Sequence, residues 1–289
     1  MKDSLDGVLP VDKPAGPTSH DVVARARRAL HMKRIGHAGT LDPFATGLLQ
    51  LCLGRATRIA EYLSALDKRY HARIHLGIRT DTDDHTGSVL AEHDATGIDR
   101  ATVEAALRAQ LGSIMQTPPQ YSAKKQSGER AYDMARAGRE FTLSAVPVRI
   151  AELRVTSFAP PFVAVDVQCS TGTYIRAIAR DLGAQLGVGA HLAELRRTAV
   201  GSVRVEDAIA LEELDDAERV GQALIPPLDA LGSMPRIDLA GDDIGHITHG
   251  RAVHAPAGVD GTVALAAQGE LIAIGRIDGR WVRPKKVFL

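Results

Sequence analysis

The stretch Gly36-His37-Ala38-Gly39-Thr40-Leu41-Asp42-Pro43-Phe44-Ala45-Thr46-Gly47 sets one carboxylate among three glycines and a proline. Glycine admits positive φ and lets other groups approach the backbone closely. Pro43 fixes its own φ and biases Asp42 toward an extended conformation. The apolar run Leu48-Leu49-Gln50-Leu51-Cys52-Leu53 follows at once and reads as a buried strand or helix that anchors the bend. An acid on a stiff bend at the mouth of a core element has the geometry a nucleophile or general base needs. An Asp-Pro pair equally serves in turns where the aspartate caps its own backbone, so the local pattern leaves both readings open. The stretch is not a phosphate-binding P-loop, because Gly39 to Gly47 lacks the Gly-Lys-Ser/Thr ending.

Upstream of the bend, 8–12 reads as a short strand running into a Pro/Gly turn, with Lys13 a candidate phosphate contact or a plain surface lysine. Thr18-Ser19-His20-Asp21 offers N-cap residues for a helix to about Leu30, with Val22, Val23, Ala26 and Ala29 on its apolar side. Downstream, a helix is expected from Gly54 to near Asp67. Residues 68–77 then alternate like a strand, placing Tyr70, Ala72, Ile74 and Leu76 on one face. Residues 80–87 form an acidic turn. A helix is expected over about 99–111, a Pro/Tyr/Lys loop over 116–125, and a basic helix over 130–136. Residues 146–150, 152–155 and 162–169 are strand-like, and 178–186 is a helix ended by Gly187 and Gly189. Arg176 follows a glycine turn at a strand end, where it can pair with a carboxylate bidentately or form an ordinary surface salt bridge. Residues 195–198 are strand-like with two cations, and the acidic stretch from Glu206 to Arg219 reads as a helix. From about Pro235 the texture changes to short apolar pieces between glycine turns, a small β-barrel-like unit.

Composition excludes several classes. A chain of 289 residues with 35 basic and 35 acidic side chains is neither disordered, collagenous nor coiled coil. No stretch reaches the ~18 uninterrupted apolar residues of a membrane span, and the first seven residues carry no apolar signal core, so the expectation is a cytoplasmic protein. Cys52 and Cys169 lie far apart in apolar surroundings and read as buried thiols. His71 and His75 fall on a strand without a His-Glu-x-x-His helix, so no metal site is read there. Basic residues cluster at 25–34, 124–139 and 276–286, and acid concentrates at 206–218. A neutral chain can still bind a polyanion on one face when another face is acidic, although each cluster taken singly also fits a solvated helix face.

Several ordered motifs together resemble the TruB family of pseudouridine synthases. They are the stretch 36–47, Lys68-Arg69-Tyr70 with Leu76-Gly77 and Thr80-Asp81-Thr82-x-Asp84, then Pro118-Pro119-x-Tyr121-Ser122-Ala123-Lys124, then Cys169-Ser170-x-Gly172-Thr173-Tyr174-Ile175-Arg176, and Leu195-Arg196-Arg197-Thr198. The likeness spans about 7–205. It departs at Val203, where the family carries an aromatic, and weakens in the C-terminal part, which resembles a PUA-like RNA-binding unit only in outline.

The resemblance implies an α+β fold with a mixed, mostly antiparallel sheet flanked by helices. It implies a catalytic domain over 1–232 with an RNA-gripping insertion at about 113–147, and a small β-rich PUA-like domain over 233–289. It implies isomerisation of uridine to pseudouridine at position 55 in the TΨC stem-loop of tRNA, by base flipping, with no cofactor and no metal. Asp42 is then the essential carboxylate, as nucleophile at the sugar or base at C2′, and Arg176 its cationic partner. Tyr70 is the third catalytic residue, stacking on the target base and able to move a proton. Tyr174 and Leu195 line the pocket, His37 sits by the extruded nucleotide, and Lys13, Asp84 and Lys124 complete the substrate contacts. A monomer acting on tRNA, without membrane or obligatory protein partner, is the expectation. A guide-RNA-dependent rRNA synthase and a non-catalytic RNA-binding module are the rival readings.

Overall fold

The computed structural model describes residues 5–121, 125–126, 129–130, 134, 141 and 143–288. Of the basic helix expected over 130–136 only Arg130 and Met134 are described, and Arg130 lies not in a helix but in the two-residue strand Glu129–Arg130, paired with Lys125–Gln126; Lys124 lies outside the described residues. Among those described, ten strands form one mixed sheet. Its order is Ile209–Ala210, Gly7–Lys13, Thr46–Leu53, Ala190–Val200, Lys68–Leu76, Phe162–Cys169, Val146–Ala159 and Gly112–Gln116, with Ile35–His37 and Val203–Arg204 joined at the side. Most neighbours are antiparallel. The parallel pairs are Gly7–Lys13 with Ile209–Ala210, and Ala190–Val200 with Thr46–Leu53.

Two interior strands of this sheet differ in sequence because they differ in burial. Lys68–Leu76 alternates inward Tyr70, Ala72, Ile74 and Leu76 with outward Arg69, His71, Arg73 and His75, the pattern of a sheet wetted on one face. Leu48 to Leu53 is buried throughout, because Leu49, Leu51 and Leu53 pack under the helices while Leu48 and Cys52 pack on the opposite side. The uninterrupted apolar run is therefore a doubly covered strand, which settles the strand-or-helix question left by its composition.

The helices Ser19–Ala29, Arg100–Arg108 and Ile175–Gln185 cover the inner face through Val22, Val23 and Ala26, through Val103 and Leu107, and through Ile178 and Leu182. The first is closed by a capping box, with Thr18 accepting from the Asp21 amide and Asp21 accepting from Thr18. The helix expected over 54–67 is a 3-10 turn, Gly54–Ile59, followed by the short helix Ala60–Ser64. The acidic stretch is not one helix. It breaks into the 3-10 turns Val205–Asp207 and Leu211–Asp215 and the helix Ala217–Ala223. Its carboxylates are spent on backbone amides: Glu213 accepts from Ala210, and Asp216 caps Glu218 and Arg219. One of its acids, Asp215, pairs with Arg25 of the first basic cluster.

Residues Arg236–Val287 carry a second, five-stranded sheet with the helix Asp242–Thr248 against it. Leu265, Ala273 and Val282 form its own core, while Leu271, Ile274 and Phe288 pack on Ile59 and Leu63 of the main body. Arg55 and Arg58 donate to the Phe288 and Val287 carbonyls across this junction. No helix among the described residues is long and apolar enough to cross a membrane.

Candidate active site

The decisive stretch lies where the two parallel strands of the seam barely meet. Ala190–Val200 and Thr46–Leu53 pair only at Arg196↔Thr46 and Arg197↔Gly47, so they diverge beyond that point and leave a cleft. Gly47 has φ 99°, and a Cβ there would stand 2.8 Å from the Arg197 backbone nitrogen, so no other residue fits without moving the seam.

The backbone of the loop is held at five successive carbonyls. Arg197 donates to Gly39 O at 3.1 Å and Thr40 O at 3.3 Å, as well as to Leu48 O at 2.7 Å. Ser19 Oγ donates to Leu41 O at 3.1 Å and accepts from Leu41 N at 2.9 Å. The Ala45 amide donates to Asp42 O, and the Gly16 amide and Lys13 Nζ both donate to Pro43 O. A carboxylate on a loop satisfied at every carbonyl from 39 to 43 has little freedom to move.

Lys13 is therefore not a surface phosphate contact. It is fully buried, and its ammonium is consumed by the carbonyls of Pro14, Pro17 and Pro43. The Pro/Gly turn folds the lysine back under the bend instead of presenting it to solvent. Burial pulls its pKa down to about 8, against the pull of Asp42.

Arg176, at the first turn of helix Ile175–Gln185, faces Asp42. Nε lies 3.0 Å from Oδ2 and Nη2 lies 3.3 Å from Oδ1. Its other donors reach Thr82 O at 3.0 Å, Tyr121 O at 2.9 Å and the Asp84 carboxylate at 3.4 Å. All three nitrogens of the guanidinium thus face an oxygen acceptor. The Arg176 side chain is 6 % exposed and that of Asp42 33 %, so the cation sits behind the acid and the acid faces the opening. Burial raises the Asp42 carboxyl above its ordinary value. Arg176 opposes this, Asp84 adds to it, and Lys13 opposes it more weakly. Asp84 is fixed in turn, with Oδ1 accepting from Thr82 Oγ1, Thr86 Oγ1 and the Thr86 amide.

Asp42, Tyr70, Asp84, Tyr174, Arg176 and Leu195 all line one cavity of about 660 Å³. A volume of this order admits a nucleotide-sized ligand. Tyr70 is 8 % exposed and lies opposite Arg197 on the neighbouring strand. Burial raises its phenol pKa, with Arg197 pulling the other way. Gln116 brackets the Tyr174 backbone, donating to its carbonyl and accepting from its amide. His37 does not line the cavity. It stands half-buried on the strand entering the loop, with its ring 5.4 Å from that of His20. Burial, then His20, lowers its pKa.

Two wall residues carry more than the sequence reading gave them. Lys68 is buried in the cavity wall and donates to Ser64 O and Leu66 O, and burial brings its pKa down to about 8. Arg197, by its sequence only one of two cations on a strand, is 1 % exposed and supports the loop. Its signal was present in the alternation: Leu195, Arg197 and Ala199 occupy the inward positions of their strand, an arginine in an apolar row.

Residues 27–175 match the N-terminal domain of the TruB family pseudouridylate synthases, and 176–231 match the tRNA pseudouridylate synthase B C-terminal domain. A protein named tRNA pseudouridine synthase B from Thermobifida fusca is 47 % identical, over 98 % of this chain and 98 % of its own. Its namesake from Mycolicibacterium paratuberculosis is 46 % identical, over 99 % and 98 %. Among solved structures, a chain of a Cbf5–Nop10–Gar1 complex superposes with a TM-score of 0.78 at 28 % identity, over 99 % of this chain and 85 % of the other. A chain of an H/ACA ribonucleoprotein bound to a substrate RNA containing 2′-deoxyuridine gives 0.77 at 27 %, over 98 % and 85 %. The fold is that of the pseudouridine synthases, with a β-rich C-terminal unit of PUA-like character. The chain belongs to the TruB family of pseudouridylate synthases, and it is an isomerase.

Proposed function

We propose that this protein isomerises uridine to pseudouridine in tRNA, at position 55 of the TΨC loop. The observation that carries the reading is the Asp42 carboxylate, gripped from behind by Arg176 and open toward a nucleotide-sized cavity. The relatives named tRNA pseudouridine synthase B support the substrate.

In the reaction the N1–C1′ bond breaks, the uracil turns over, C5 bonds to C1′, the C5 proton leaves and N1 gains one. No atom or electron is gained overall, so the step calls for no redox group or donor. Asp42 opens it, at C1′ as nucleophile or at C2′ as base. Arg176 favours the ionised acid that either role needs. Tyr70 stacks on the target base from the cavity floor, with Tyr174 and Leu195 beside it. A base within an RNA stack is out of reach, so the nucleotide is extruded at a cost of a few kcal/mol. His37, at the loop entrance, meets the extruded nucleotide. Phosphate contacts from Lys124 and other basic residues offset the cost. Recognition rests on the shape of the stem-loop and its splayed bases. The protein acts as a monomer, in the cytoplasm, without a partner protein.

The test is to incubate the pure protein with unmodified tRNA, and separately with a bare TΨC stem-loop, and to map pseudouridine chemically. Modification of both at the one uridine is the expected result. Modification only with an added guide RNA or protein would move the assignment to the ribonucleoprotein class of the structural neighbours.

A further inference from the structure

We propose that Arg180 and Asp83 are positioning residues that hold two chain segments against Arg176 and thereby fix its fork on Asp42. This rests on the functional reading above. Arg176 and Arg180 stand one turn apart on helix Ile175–Gln185, so they share a face. Arg180 Nη1 contacts Asp83 Oδ2 at 3.1 Å, and Nη2 donates to Thr117 O at 2.8 Å. The same two segments supply Arg176 with its supporting acceptors. Asp83 lies between Thr82 and Asp84, which take Nη1 of Arg176, and Thr117 lies four residues before Tyr121, whose carbonyl takes Nη2. Two arginines on one helix face therefore clamp the same pair of segments at two levels.

The clamp is built rather than incidental. Asp83 is 8 % exposed and sits at φ 60°, a left-handed conformation that aspartate tolerates better than most residues. Its carbonyl is tied to the Leu192 amide at 3.0 Å, so the loop is pinned to the sheet as well as to the helix. The Arg180 and Asp83 side chains are 24 % and 11 % exposed, shielded enough to keep more of their attraction than a fully exposed pair. Neither residue lines the cavity. Their route to the chemistry runs through the acceptors around Arg176.

The experiment compares wild type, Arg180→Ala, Arg180→Lys, Asp83→Asn and the Arg180→Ala/Asp83→Asn double variant on unmodified tRNA. It measures the single-turnover rate at saturating RNA, KM, and the thermal midpoint. Arg180→Ala and Asp83→Asn should each slow the chemical step by roughly 3- to 30-fold with KM unchanged. Arg180→Lys should recover part of the rate, since a lysine can take one of the two acceptors. The double variant should be no slower than Arg180→Ala, because both changes remove one shared contact. Wild-type rates in both single variants, multiplying losses in the double variant, or a loss confined to KM would overturn the proposal. If Arg180→Ala does not fold, Asp83→Asn alone decides, since it keeps size and backbone tolerance. An active wild type with unaffected variants sinks this inference only. An inert wild type sinks the functional reading and this inference with it.

Discussion

Arg176 meets Asp42 through two separate contacts, Nε to Oδ2 at 3.0 Å and Nη2 to Oδ1 at 3.3 Å, from the buried side of the carboxylate. A planar fork can do this and still reach Thr82, Tyr121 and Asp84. In Arg176→Lys a single ammonium must choose among these acceptors and leaves the others unsatisfied. Turnover should drop by about 10²–10³-fold while tRNA affinity, measured by filter binding, stays near wild type. Near-normal turnover would remove the pairing from the mechanism.

Asp42→Asn keeps the shape of the loop and removes its charge. The five carbonyls of 39–43 are held by other groups, so the loop should stay in place. The rate should fall by at least about 10²–10⁴-fold, with tRNA still bound. Loss of binding and activity together would assign Asp42 a folding role instead.

The surroundings of Asp42 also set a pH limb. Burial raises its pKa above the ordinary 3.8, Arg176 and Lys13 pull it back, and Asp84 pushes it up. Because the acting form is ionised, the rate is full above the folded-state pKa and falls as pH drops through it. The acid limb of the single-turnover rate should therefore have its midpoint above 3.8. Asp84→Asn removes a like charge and should move that limb to lower pH. A limb that moves upward in this variant would contradict the placement of Asp84 as a neighbour of the acid.

How much of this was legible in the sequence depended on range. Periodicity located the strand Lys68–Leu76 and its inward tyrosine, and cap chemistry located the helix Ser19–Ala29, because both are local. The Asp42–Arg176 pair joins residues 134 apart, and spacing around Arg176 favoured a surface salt bridge as readily as a buried one. Motif resemblance supplied the pair; geometry then set it at the cavity. Lys13 escaped because a Pro/Gly turn usually marks a surface, and only the fold brings three carbonyls round its ammonium. The composition of 206–219 points to one helix because its acids are helix-compatible, yet three of them cap successive short turns.

Charge placement predicts the ionic response of RNA binding. Arg28, Lys33 and Arg34 are exposed beside the loop, although Arg25 is paired with Asp215. Log affinity for tRNA should fall linearly with log salt concentration, with a slope of about −0.7 to −0.9 for each phosphate neutralised. Reversing one exposed cation, Arg28→Glu, should flatten the slope without changing the rate at saturating RNA. A salt-independent affinity would count against the basic surface as the RNA face.

Arg197 offers the sharpest stability test, because its role is to hold the loop and the charge itself is buried. It is 1 % exposed and donates to the carbonyls of Gly39, Thr40 and Leu48. Removing it takes the arginine donor from three backbone carbonyls, each costing about 1–3 kcal/mol where water does not replace it, which is easiest at Gly39 and Thr40 on the cavity wall. Arg197→Ala should lower stability by about 3 kcal/mol or more in urea unfolding. Arg197→Lys should be intermediate, since its ammonium can serve some of the acceptors but loses the planar spread. Gly47→Ala attacks the same seam from the other strand, through a φ of 99° and a Cβ crowded against the Arg197 backbone. It should destabilise by a further 1–3 kcal/mol or so. Because the two sites touch, their effects should fall short of additive. Full additivity would mean that the loop and the strand behind it are held independently, and that the seam does not set the position of Asp42.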